Sequence, residues 1–178
     1  MDISKIAVGE DPPFDLNVII EVPQGGDPVK YEHDKETGAL MVDRILHTPM
    51  RYPCNYGYLP RTLAEDGDPV DVMVVSQYPV MAGSVLRARP VGALLMEDDG
   101  GPDEKILAVP HTKIWPYYRS IHAPSDLPEI ITRQIVHFFD HYKDLEDGKW
   151  TKIHDWVDQP KAHQLIQQGI ERFGQKPA

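Results

Sequence analysis

The sequence contains very little cysteine, with Cys54 as the one thiol among 178 residues. A single thiol cannot form a disulfide within the chain, so we exclude a small secreted fold held together by disulfides and expect a reducing compartment. Long apolar runs are also absent: no stretch approaches the ~20 residues of a membrane span, and no signal peptide is visible at the N-terminus. These absences predict a cytoplasmic protein that has no membrane partner.

Positive charge is scarce relative to negative charge. The chain has 18 Lys and Arg against 28 Asp and Glu, for a formal net charge of −10 at pH 7. A general nucleic-acid binder usually carries a basic face, so this balance argues against a nucleic-acid partner. An acidic protein that binds a phosphorylated ligand usually needs cations between itself and the ligand. For a ligand of this kind, the charge balance therefore predicts residues that hold metal ions.

Size and composition indicate one folded unit. Hydrophobic residues make up 41% of the chain, which is enough for a packed core. A length of 178 residues suits one domain and is short for two, and the chain shows no internal repeat, low-complexity segment or linker. We therefore predict a single domain spanning residues 1–178.

The first two-thirds of the chain is rich in short apolar runs separated by Gly and Pro turns. The segments with the composition of strands are Leu16–Val22, Val29–His33, Ala39–Leu46, Val70–Val75, Val85–Met96 and Lys105–Val109. Pro90 and Gly92 predict a bend within the strand that contains them, and the Pro- and Gly-rich cluster at 53–60 indicates an ordered but irregular loop. Many short strands at close spacing favour a small β-barrel over alternating βαβ units.

The last third of the chain changes to a helical pattern. Apolar residues recur at helical spacing from Leu127 until Gly148 ends the helix, with Ser125-Asp126 as a candidate N-cap. The remaining predicted elements are a strand at Thr151–Val157 and a second, shorter helix at Lys161–Phe173. The fold prediction is therefore mainly β with α, a barrel with helices packed outside it.

Three carboxylates crowd the segment EDGDPVDV at positions 65–72. Asp66, Asp68 and Asp71 fall within a few positions of one another and repel, a cost that a divalent cation with oxygen ligands would remove. The intervening Gly and Pro break the alternation of an extended chain, so the three side chains can converge. Asp71 then enters a strand whose other residues are apolar, where an unpaired charge would be costly.

Explanations other than a catalytic metal site remain open for the acidic residues at this point. A solvated acidic turn explains the segment equally well when the segment is taken alone. An EF-hand calcium loop does not fit, because the positions that should hold Gly and Glu hold Asp71 and Gln77. Asp98 and Asp103 flank a Gly-Gly turn between two predicted strands, and the pair alone favours an ordinary hairpin tip.

Several cations and tyrosines lie in strand-like or helical segments rather than in surface runs. Lys30 and Glu32 are two residues apart on one face of a predicted strand, and Arg44 has apolar neighbours. Arg presents a planar fork that matches phosphate oxygens, Lys a compact charge and Tyr a hydroxyl donor. Each residue alone is more often a surface side chain, so the inference depends on the set. Its members are Lys30, Arg44, Lys105, Tyr142 and Lys143.

Motifs distributed along most of the chain carry a family resemblance. They are DGDPVDV (Asp66–Val72), GDPVKYE (Gly26–Glu32), GALMVDR (Gly38–Arg44), YPCNYGY (Tyr52–Tyr58), RPVGALLM (Arg89–Met96), AVPH (Ala108–His111) and HFFDHYKDLE (His137–Glu146). Together they resemble the family I soluble inorganic pyrophosphatases of the bacterial type. The resemblance covers the chain from about Phe14 to Trp150.

The resemblance implies a fold and an activity. The implied fold is a small closed five-stranded barrel similar to the oligonucleotide-binding (OB) fold, and similar chains form homohexamers, a dimer of trimers. The implied enzyme is an inorganic diphosphatase, a hydrolase acting on phosphoric anhydrides in phosphate metabolism. It implies that several Mg²⁺ ions activate a water that attacks phosphorus directly, without a covalent intermediate. The expected substrate is the metal complex of pyrophosphate.

The resemblance also implies roles for individual residues. Asp68 is the expected proton acceptor. The expected metal ligands are Asp66, Asp71, Asp98 and Asp103. The expected phosphate-binding residues are Lys30, Arg44, Tyr56, Lys105, Tyr142 and Lys143. Other residues expected to line the site are Glu21, Glu32 and Tyr52.

Two alternative functions remain at this point. An OB-type oligonucleotide-binding module is compatible with the predicted barrel, since fold alone does not decide function, but the acidic charge balance disfavours it. A metal-binding protein without catalytic activity is the other alternative. Release of phosphate from pyrophosphate in the presence of Mg²⁺ distinguishes an enzyme from both.

Overall fold

The computed structural model describes residues 2–34 and 36–175. The strands are β1 (Leu16–Val22), β2 (Val29–His33), β3 (Leu40–Ile45), β4 (Asn55–Tyr58), β5 (Asp71–Val74), β6 (Val85–Asp98), β7 (Gly101–Pro102), β8 (Lys105–Pro110) and β9 (Thr151–Asp158). The α-helices are α1 (Glu129–His141) and α2 (Gln159–Gly174). Short 3-10 helices lie at Ile3–Lys5, Pro116–Tyr118 and Pro124–Asp126.

One mixed sheet contains every strand above except β2 and β3, which pair with each other as a separate hairpin. The sheet follows the order β1-β4-β5-β8-β6-β7, with β9 beside β6. The β5–β8 pair is parallel, and the other pairs are antiparallel. Because β6 also pairs with β1, the pairings return to their starting strand and run in a ring of five strands: β1, β4, β5, β8 and β6.

The long strand β6 takes part in this ring because it bends. Its first residues, 85–88, pair with β1, and its later residues pair with β8 and β9. The register with β8 shifts between Pro90 and Gly92, which confirms the predicted bend. A Cβ on Gly92 would lie 2.5 Å from the carbonyl oxygen of Val157, so the glycine lets β9 approach closely.

A short strand occupies part of the segment at 53–60, so the prediction of an irregular loop there was wrong. The four residues of β4 (Asn-Tyr-Gly-Tyr) are all buried, and the strand pairs with β1 on one side and β5 on the other. Gly57 permits the close approach, since an added Cβ would lie 1.9 Å from the carbonyl oxygen of Ile19. Long-range pairing determines this strand, which lacks the alternating pattern that marks a strand in sequence.

Helix α1 has different ends from those predicted. It begins at Glu129 and ends at His141, well before Gly148. Beyond His141 the chain continues in successive turns, closed by backbone hydrogen bonds such as the one from Glu146 to Lys143. The apolar rhythm in the sequence continues through these turns, which is why it predicts a longer helix.

The N-cap predicted at Ser125-Asp126 does not cap α1, because Pro128 occupies the N-cap position of that helix. Asp126 lies in a 3-10 helix, where its carboxylate accepts hydrogen bonds from the backbone N–H groups of His122 and Ala123. Helix α2 does have a side-chain cap, because the carboxylate of Asp158 accepts a backbone N–H from the first turn.

Two clusters of buried side chains fix the helices against the sheet. The first is rich in aromatic rings and packs Phe138 and Phe139 of α1 against Tyr52 and Tyr56. The second packs Ile166 of α2 among aliphatic side chains of the strands. Burying one such side chain contributes roughly 1.5–3 kcal/mol, so packing holds both helices in place. Within the described ranges, no helix has the length and apolar character that crossing a membrane requires.

Candidate active site

A cavity of about 430 Å³ opens between the β2–β3 hairpin, the ends of several sheet strands and the turns after α1. Every side chain that the sequence singled out for catalysis, metal binding, phosphate binding or support lines this cavity. These side chains are Glu21, Lys30, Glu32, Arg44, Tyr52, Tyr56, Asp66, Asp68, Asp71, Asp98, Asp103, Lys105, Tyr142 and Lys143. The fold therefore brings together residues that are far apart in the sequence.

The β2–β3 hairpin contributes two cations to the cavity. Lys30 is the cross-strand partner of Arg44, and its ammonium group contacts the carboxylate of Glu32. Burial lowers the pKa of Lys30, but the hydrogen bond and charge of Glu32, together with the charge of Asp71, outweigh burial and raise the pKa above its ordinary value. Arg44 donates from Nη1 to Asp43 at 3.0 Å and from Nε to Glu146 at 3.3 Å. Carboxylates therefore hold both cations in position beside the cavity.

Lys105 forms the centre of the charged cluster. Its Nζ donates to Asp71 Oδ2 at 2.8 Å, to Asp103 Oδ1 at 2.7 Å and to the hydroxyl oxygen of Tyr56 at 3.1 Å. Asp71 and Lys105 are the first residues of β5 and β8, which are parallel neighbours, so the sheet places their side chains together. Tyr56 lies on β4, the other neighbour of β5, and donates a short hydrogen bond to Asp71.

The charges around Lys105 determine the protonation of the cluster. Burial lowers the pKa of Lys105, which is only 2% exposed, but Asp71 and Asp103 outweigh burial and hold the pKa well above its ordinary value. Burial raises the pKa of the Tyr56 hydroxyl well above its ordinary value, and the same two carboxylates raise it further. Lys105 therefore stays charged and Tyr56 stays neutral, and both remain hydrogen-bond donors.

The acidic loop, residues 62–70, folds back on itself at the edge of the cavity. The carboxylate of Asp66 accepts the backbone N–H of Asp68 at 2.9 Å, and the carbonyl oxygen of Asp68 accepts the N–H of Ala64 at 2.6 Å. Gly67 has a φ of +94°, in the left-handed region that glycine adopts without strain. This tight turn keeps both aspartates of the loop on the cavity wall.

The carboxyl group of Asp66 lies among other carboxylates, and its pKa is raised above its ordinary value. Burial raises the pKa of Asp66, the N–H of Asp68 opposes this, and the charges of Asp68, Asp71 and Asp103 raise the pKa further. Neighbouring negative charges make ionisation of a carboxyl group unfavourable, and a nearby cation stabilises the ionised form. The carboxylate oxygens that face the cavity are the ligands that hard divalent cations prefer.

Within residues 2–34 and 36–175, no three His, Cys, Asp or Glu side chains are grouped closely enough to hold a metal ion as they stand. The ammonium group of Lys105 lies between Asp71 and Asp103 and supplies the local positive charge. The type of donor still fits a hard cation, because the acidic side chains facing the cavity all offer carboxylate oxygens. Metal binding at these residues would require side-chain movements toward the ion.

The turn between β6 and β7 meets the segment after α1 at the cavity. Lys143 donates to Asp98 Oδ2 at 2.6 Å and to Asp99 Oδ1 at 3.4 Å, and Lys149 donates to Asp99 Oδ2 at 2.9 Å. Burial raises the pKa of Asp98, but the hydrogen bonds from Lys143 and from the backbone N–H of Gly100, together with the charge of Lys143, outweigh burial and lower the pKa below its ordinary value. Asp98 is therefore ionised at neutral pH and oriented by Lys143.

His33 and Tyr58 also line the cavity, although sequence reasoning missed them. Their rings contact each other edge to face, and the backbone N–H of His33 donates to Glu21 Oε1 at 2.7 Å. Burial raises the pKa of Glu21, and the contact with His33 offsets part of that effect. Strand alternation puts His33 on the face opposite Lys30 and Glu32, so the pattern that identified those residues gave no signal for it.

Both ends of the described chain border the cavity. Ile3 and Ser4 at one end and Phe173 in the last turn of α2 at the other line it together with Leu63. Arg61 donates from Nε and Nη2 to the carbonyl oxygen of Ser4, at 3.1 and 2.7 Å, and so ties the N-terminal segment to the chain that enters the acidic loop.

Sequence comparison places similar proteins in a single family. The family model described as inorganic pyrophosphatase matches residues 18–174. A Caulobacter vibrioides protein named inorganic pyrophosphatase is 59% identical over 175 residues, covering 98% of this chain and 99% of that protein. A Rhodospirillum rubrum protein of the same name is 61% identical over 170 residues, covering 96% of this chain and 95% of that protein.

Solved structures are similar over almost the whole chain. The crystal structure titled inorganic phosphatase from Anaplasma phagocytophilum has a TM-score of 0.94 at 49% identity, covering 96% of this chain and 100% of that one. The crystal structure of inorganic pyrophosphatase from Thermus thermophilus has a TM-score of 0.92 at 40% identity, covering 98% of this chain and 99% of that one. The similarity therefore includes the segments that line the cavity as well as the sheet.

Proposed function

Because this chain belongs to the inorganic pyrophosphatase family, we propose that the cavity described above is where it binds and hydrolyses pyrophosphate. The chain is an inorganic diphosphatase, a hydrolase that converts one pyrophosphate into two orthophosphates. The observation that carries the site assignment is the convergence of cations, tyrosines and crowded carboxylates in one cavity. A highly charged anion that arrives with metal ions suits this mixture of charges.

The four aspartates Asp66, Asp71, Asp98 and Asp103 are the proposed metal ligands. Their carboxylate oxygens suit Mg²⁺, and the raised pKa of Asp66 supports the placement of a cation near it. We propose Mg²⁺ as the cofactor, with several ions in each site. When bound, Mg²⁺ would supply Lewis acidity and neutralise charge on the phosphate oxygens.

Donors around the cavity are proposed to bind the two phosphate groups. They are Lys30, Arg44, Tyr56, Lys105, Tyr142 and Lys143. Two of the lysines are oriented by carboxylates: Glu32 holds Lys30, and Asp98 holds Lys143. Donors that are already oriented need little rearrangement when negative charge develops on the departing phosphate, and this lowers the barrier.

Three further residues support these donors. Glu32 positions Lys30, and the ring of Tyr52 packs against the ring of Tyr56 with centroids 5.1 Å apart. Glu21 lies at the wall of the cavity, where the backbone of His33 fixes its carboxylate. Their proposed contribution is to keep the charged groups in one arrangement.

Asp68 is the proposed proton acceptor. It lies at the exposed edge of the acidic loop, and its backbone N–H is fixed by the carboxylate of Asp66. The Asp68 carboxylate orients a water and accepts its proton as the water oxygen forms a bond to phosphorus. The bond between that phosphorus and the bridging oxygen breaks in the same displacement, so no covalent enzyme intermediate forms.

The proposed function is accompanied by proposals for the fold, the assembly and the location of the protein. The ring of five paired strands supports a closed OB-like barrel, and one domain is proposed to span residues 1–178. The homohexamer, a dimer of trimers, is proposed from the family resemblance alone. The single cysteine supports a cytoplasmic location, and the net charge of −10 supports the proposal that nucleic acid is not a partner. We also propose that the protein has no membrane partner.

The residue roles can be tested by changing two neighbouring aspartates. We expect Asp68→Asn to lower kcat by about 10²–10⁴-fold, because the oriented proton acceptor is lost. Asp71→Asn should also lower turnover by orders of magnitude and should weaken Mg²⁺ binding. Phosphate release from magnesium pyrophosphate, circular dichroism and Mg²⁺ titration measure these effects.

Asp155→Asn provides the matched control, since Asp155 is an exposed aspartate on β9 outside the cavity lining. This variant should keep normal turnover. Near-normal turnover of a folded Asp68→Asn variant would instead remove Asp68 from the mechanism. An OB-type oligonucleotide-binding module and a metal-binding protein without turnover are both disfavoured by the family membership.

A further inference from the structure

We propose that the C-terminal helix α2 positions the acidic loop, with Arg172 as the positioning residue. The inference rests on the proposed roles of Asp66 and Asp68, which this loop carries. The sequence indicates α2 as a helix without indicating what it does. Its last turn borders the cavity, because Phe173 lies in the lining.

Arg172 contacts the acidic loop at two points. Its Nη1 donates to the carbonyl oxygen of Leu63 at 3.2 Å, and its Nη2 donates to Glu65 Oε1 at 3.0 Å. The N–H of Leu63 in turn donates to the carbonyl oxygen of Gly169 at 2.9 Å. Helix α2 therefore holds the main chain of Leu63 through both its N–H and its carbonyl group.

Gly169 allows α2 to lie directly against the base of the loop. An added Cβ would lie 2.6 Å from Val70 Cγ2 and 3.5 Å from Thr62 Cβ. Those two residues close the base of the loop themselves, because Thr62 Oγ1 accepts the N–H of Val70 at 2.9 Å. Helix α2 thus contacts the base of the loop, which Thr62 and Val70 close. Through Arg172 it also contacts Leu63 and Glu65, which follow Thr62 in the loop.

The segment held by Arg172 leads directly into the turn that carries the aspartates. Ala64 follows Leu63, and its N–H donates to the carbonyl oxygen of Asp68. A displaced Leu63 peptide would therefore move this turn and shift Asp66 and Asp68 along the cavity wall. A shift of about 1 Å at a reacting group can lower the rate by about 10²-fold.

Arg172 should influence the loop more than it influences overall stability. The side chains of Arg172 and Glu65 are 33% and 55% exposed, and ion pairs with this exposure contribute little to folding. Loops open at far lower free energy than whole domains, so weak contacts are enough to change the position of a loop. The core contacts of α2, such as those of Ile166, remain when Arg172 is removed.

The test measures Mg²⁺ binding and kinetics separately in Arg172→Ala. Titration calorimetry with Mg²⁺ alone should show binding weakened on the order of tenfold, as expected when support for a metal ligand is lost. Steady-state kinetics should show a lower kcat with a smaller change in KM. The melting temperature should stay close to that of the wild-type protein.

Two further variants define the role of the side chain. Arg172→Lys keeps a positive charge but cannot reach both acceptors with a fork, so it should restore part of the Mg²⁺ affinity. Arg133→Ala is the matched control, because Arg133 is an exposed arginine of α1 that pairs with Glu129 at 4.0 Å. The control should leave Mg²⁺ binding and kcat unchanged.

Wild-type Mg²⁺ affinity and kcat in folded Arg172→Ala would overturn the positioning role. That result would leave the proposed function intact, since the roles of Asp68 and Asp71 depend on their own variants. A loss of activity that merely follows a loss of folded protein would also overturn it. Should Arg172→Ala fail to fold, Mg²⁺ titration of the variant Glu65→Gln, which changes an exposed residue, tests the positioning role instead. A loss of Mg²⁺ affinity smaller than that expected for Arg172→Ala supports the positioning role of Arg172. Unchanged Mg²⁺ binding contradicts it.

Discussion

The ammonium group of Lys105 is the positive charge that lies between the carboxylates of Asp71 and Asp103. It pairs with Asp71 and Asp103 and is almost fully buried, so neither carboxylate can exchange it freely for water. Removal of one member of a buried ion pair is costly because the remaining charge is left without compensation. The side chain therefore neutralises part of the charge of Asp71 and Asp103, in addition to its proposed role in phosphate binding.

Replacement of Lys105 tests this combination. We expect Lys105→Met, which keeps the length of the side chain, to lower the free energy of unfolding by about 3–5 kcal/mol in the presence of EDTA. Mg²⁺ should restore more stability to the variant than to the wild-type protein, because the ion replaces the missing charge. Urea unfolding with EDTA and with Mg²⁺ measures both effects.

Lys152→Met is the control for this prediction, because Lys152 is an exposed lysine that pairs with Glu97. Its effect should stay within about 0.5 kcal/mol. Equal stability of Lys105→Met and wild-type protein in EDTA would show that Lys105 does not balance the two carboxylates.

The pairing of Lys30 with Glu32 could be predicted from sequence because alternation along a strand is a local property. The convergence of Asp66 and Asp68 was also predictable, since Gly and Pro limit the shapes of the loop. The position of His33 was not, because its contacts with Glu21 and Tyr58 join three strands. Contacts between distant strands leave no local pattern.

At the scale of elements, the contact between β1 and β6 completes the ring of strands, and an ion pair lies beside it. Arg87 of β6 donates from Nε to Asp15 Oδ1 at 2.8 Å, directly before β1 begins. The hydrogen bonds from Arg87 lower the pKa of Asp15 below its ordinary value of 3.8; burial opposes them, and the charge of His111 lowers the pKa further. Asp15 therefore contributes to stability in its ionised form.

This contribution should depend on pH in a defined direction. Because the folded-state pKa of Asp15 is depressed, its contribution is present above pH ~4 and is lost as the pH falls through the folded-state pKa. Asp15→Asn should lower the free energy of unfolding by about 1–3 kcal/mol at pH 7, and the difference should shrink below pH ~4. Urea unfolding at pH 7, 5 and 3 measures this trend.

Glu10→Gln supplies the comparison, since Glu10 also pairs with Arg87 but is mostly exposed. Its effect should be smaller at every pH. A difference between Asp15→Asn and wild-type protein that persists unchanged at pH 3 would rule out the ionised carboxylate as its source.

The predictability of each element follows from where its stabilising contacts lie. The observed ends of strand β1 match its predicted ends, because five of its seven residues are buried and apolar. Strand β4 was missed because its four residues depend on β1 and β5 for every strand contact. The end of α1 was misplaced because apolar residues after His141 continue the helical rhythm while the backbone forms turns.

For the whole molecule, the excess of negative charge makes stability sensitive to divalent cations. The net charge of −10 and the crowded cavity carboxylates both favour cation binding to the folded state. Mg²⁺ at about one hundred times its dissociation constant should add roughly 2.7 kcal/mol, which corresponds to a rise in Tm of about 5–10 °C. Differential scanning calorimetry with and without Mg²⁺ measures the shift.

Two variants distinguish stabilisation by Mg²⁺ bound in the cavity from stabilisation by general screening of surface charge. Asp71→Asn should show a much smaller rise in Tm with Mg²⁺, whereas Asp155→Asn should show the full rise. Equal shifts in both variants would mean that Mg²⁺ stabilises the protein through its surface rather than through the cavity.

The position of Lys105 between Asp71 and Asp103 has a consequence for the order of assembly. A small domain built on structural zinc stays unfolded until its metal arrives, because nothing else offsets the charge of its ligands. Here the chain brings its own counter-ion on a neighbouring strand, so a newly made molecule can complete its fold before any metal is loaded. Under the proposed requirement for metal, a temporary shortage would stop turnover while the fold persists, and resupply would restore activity without refolding.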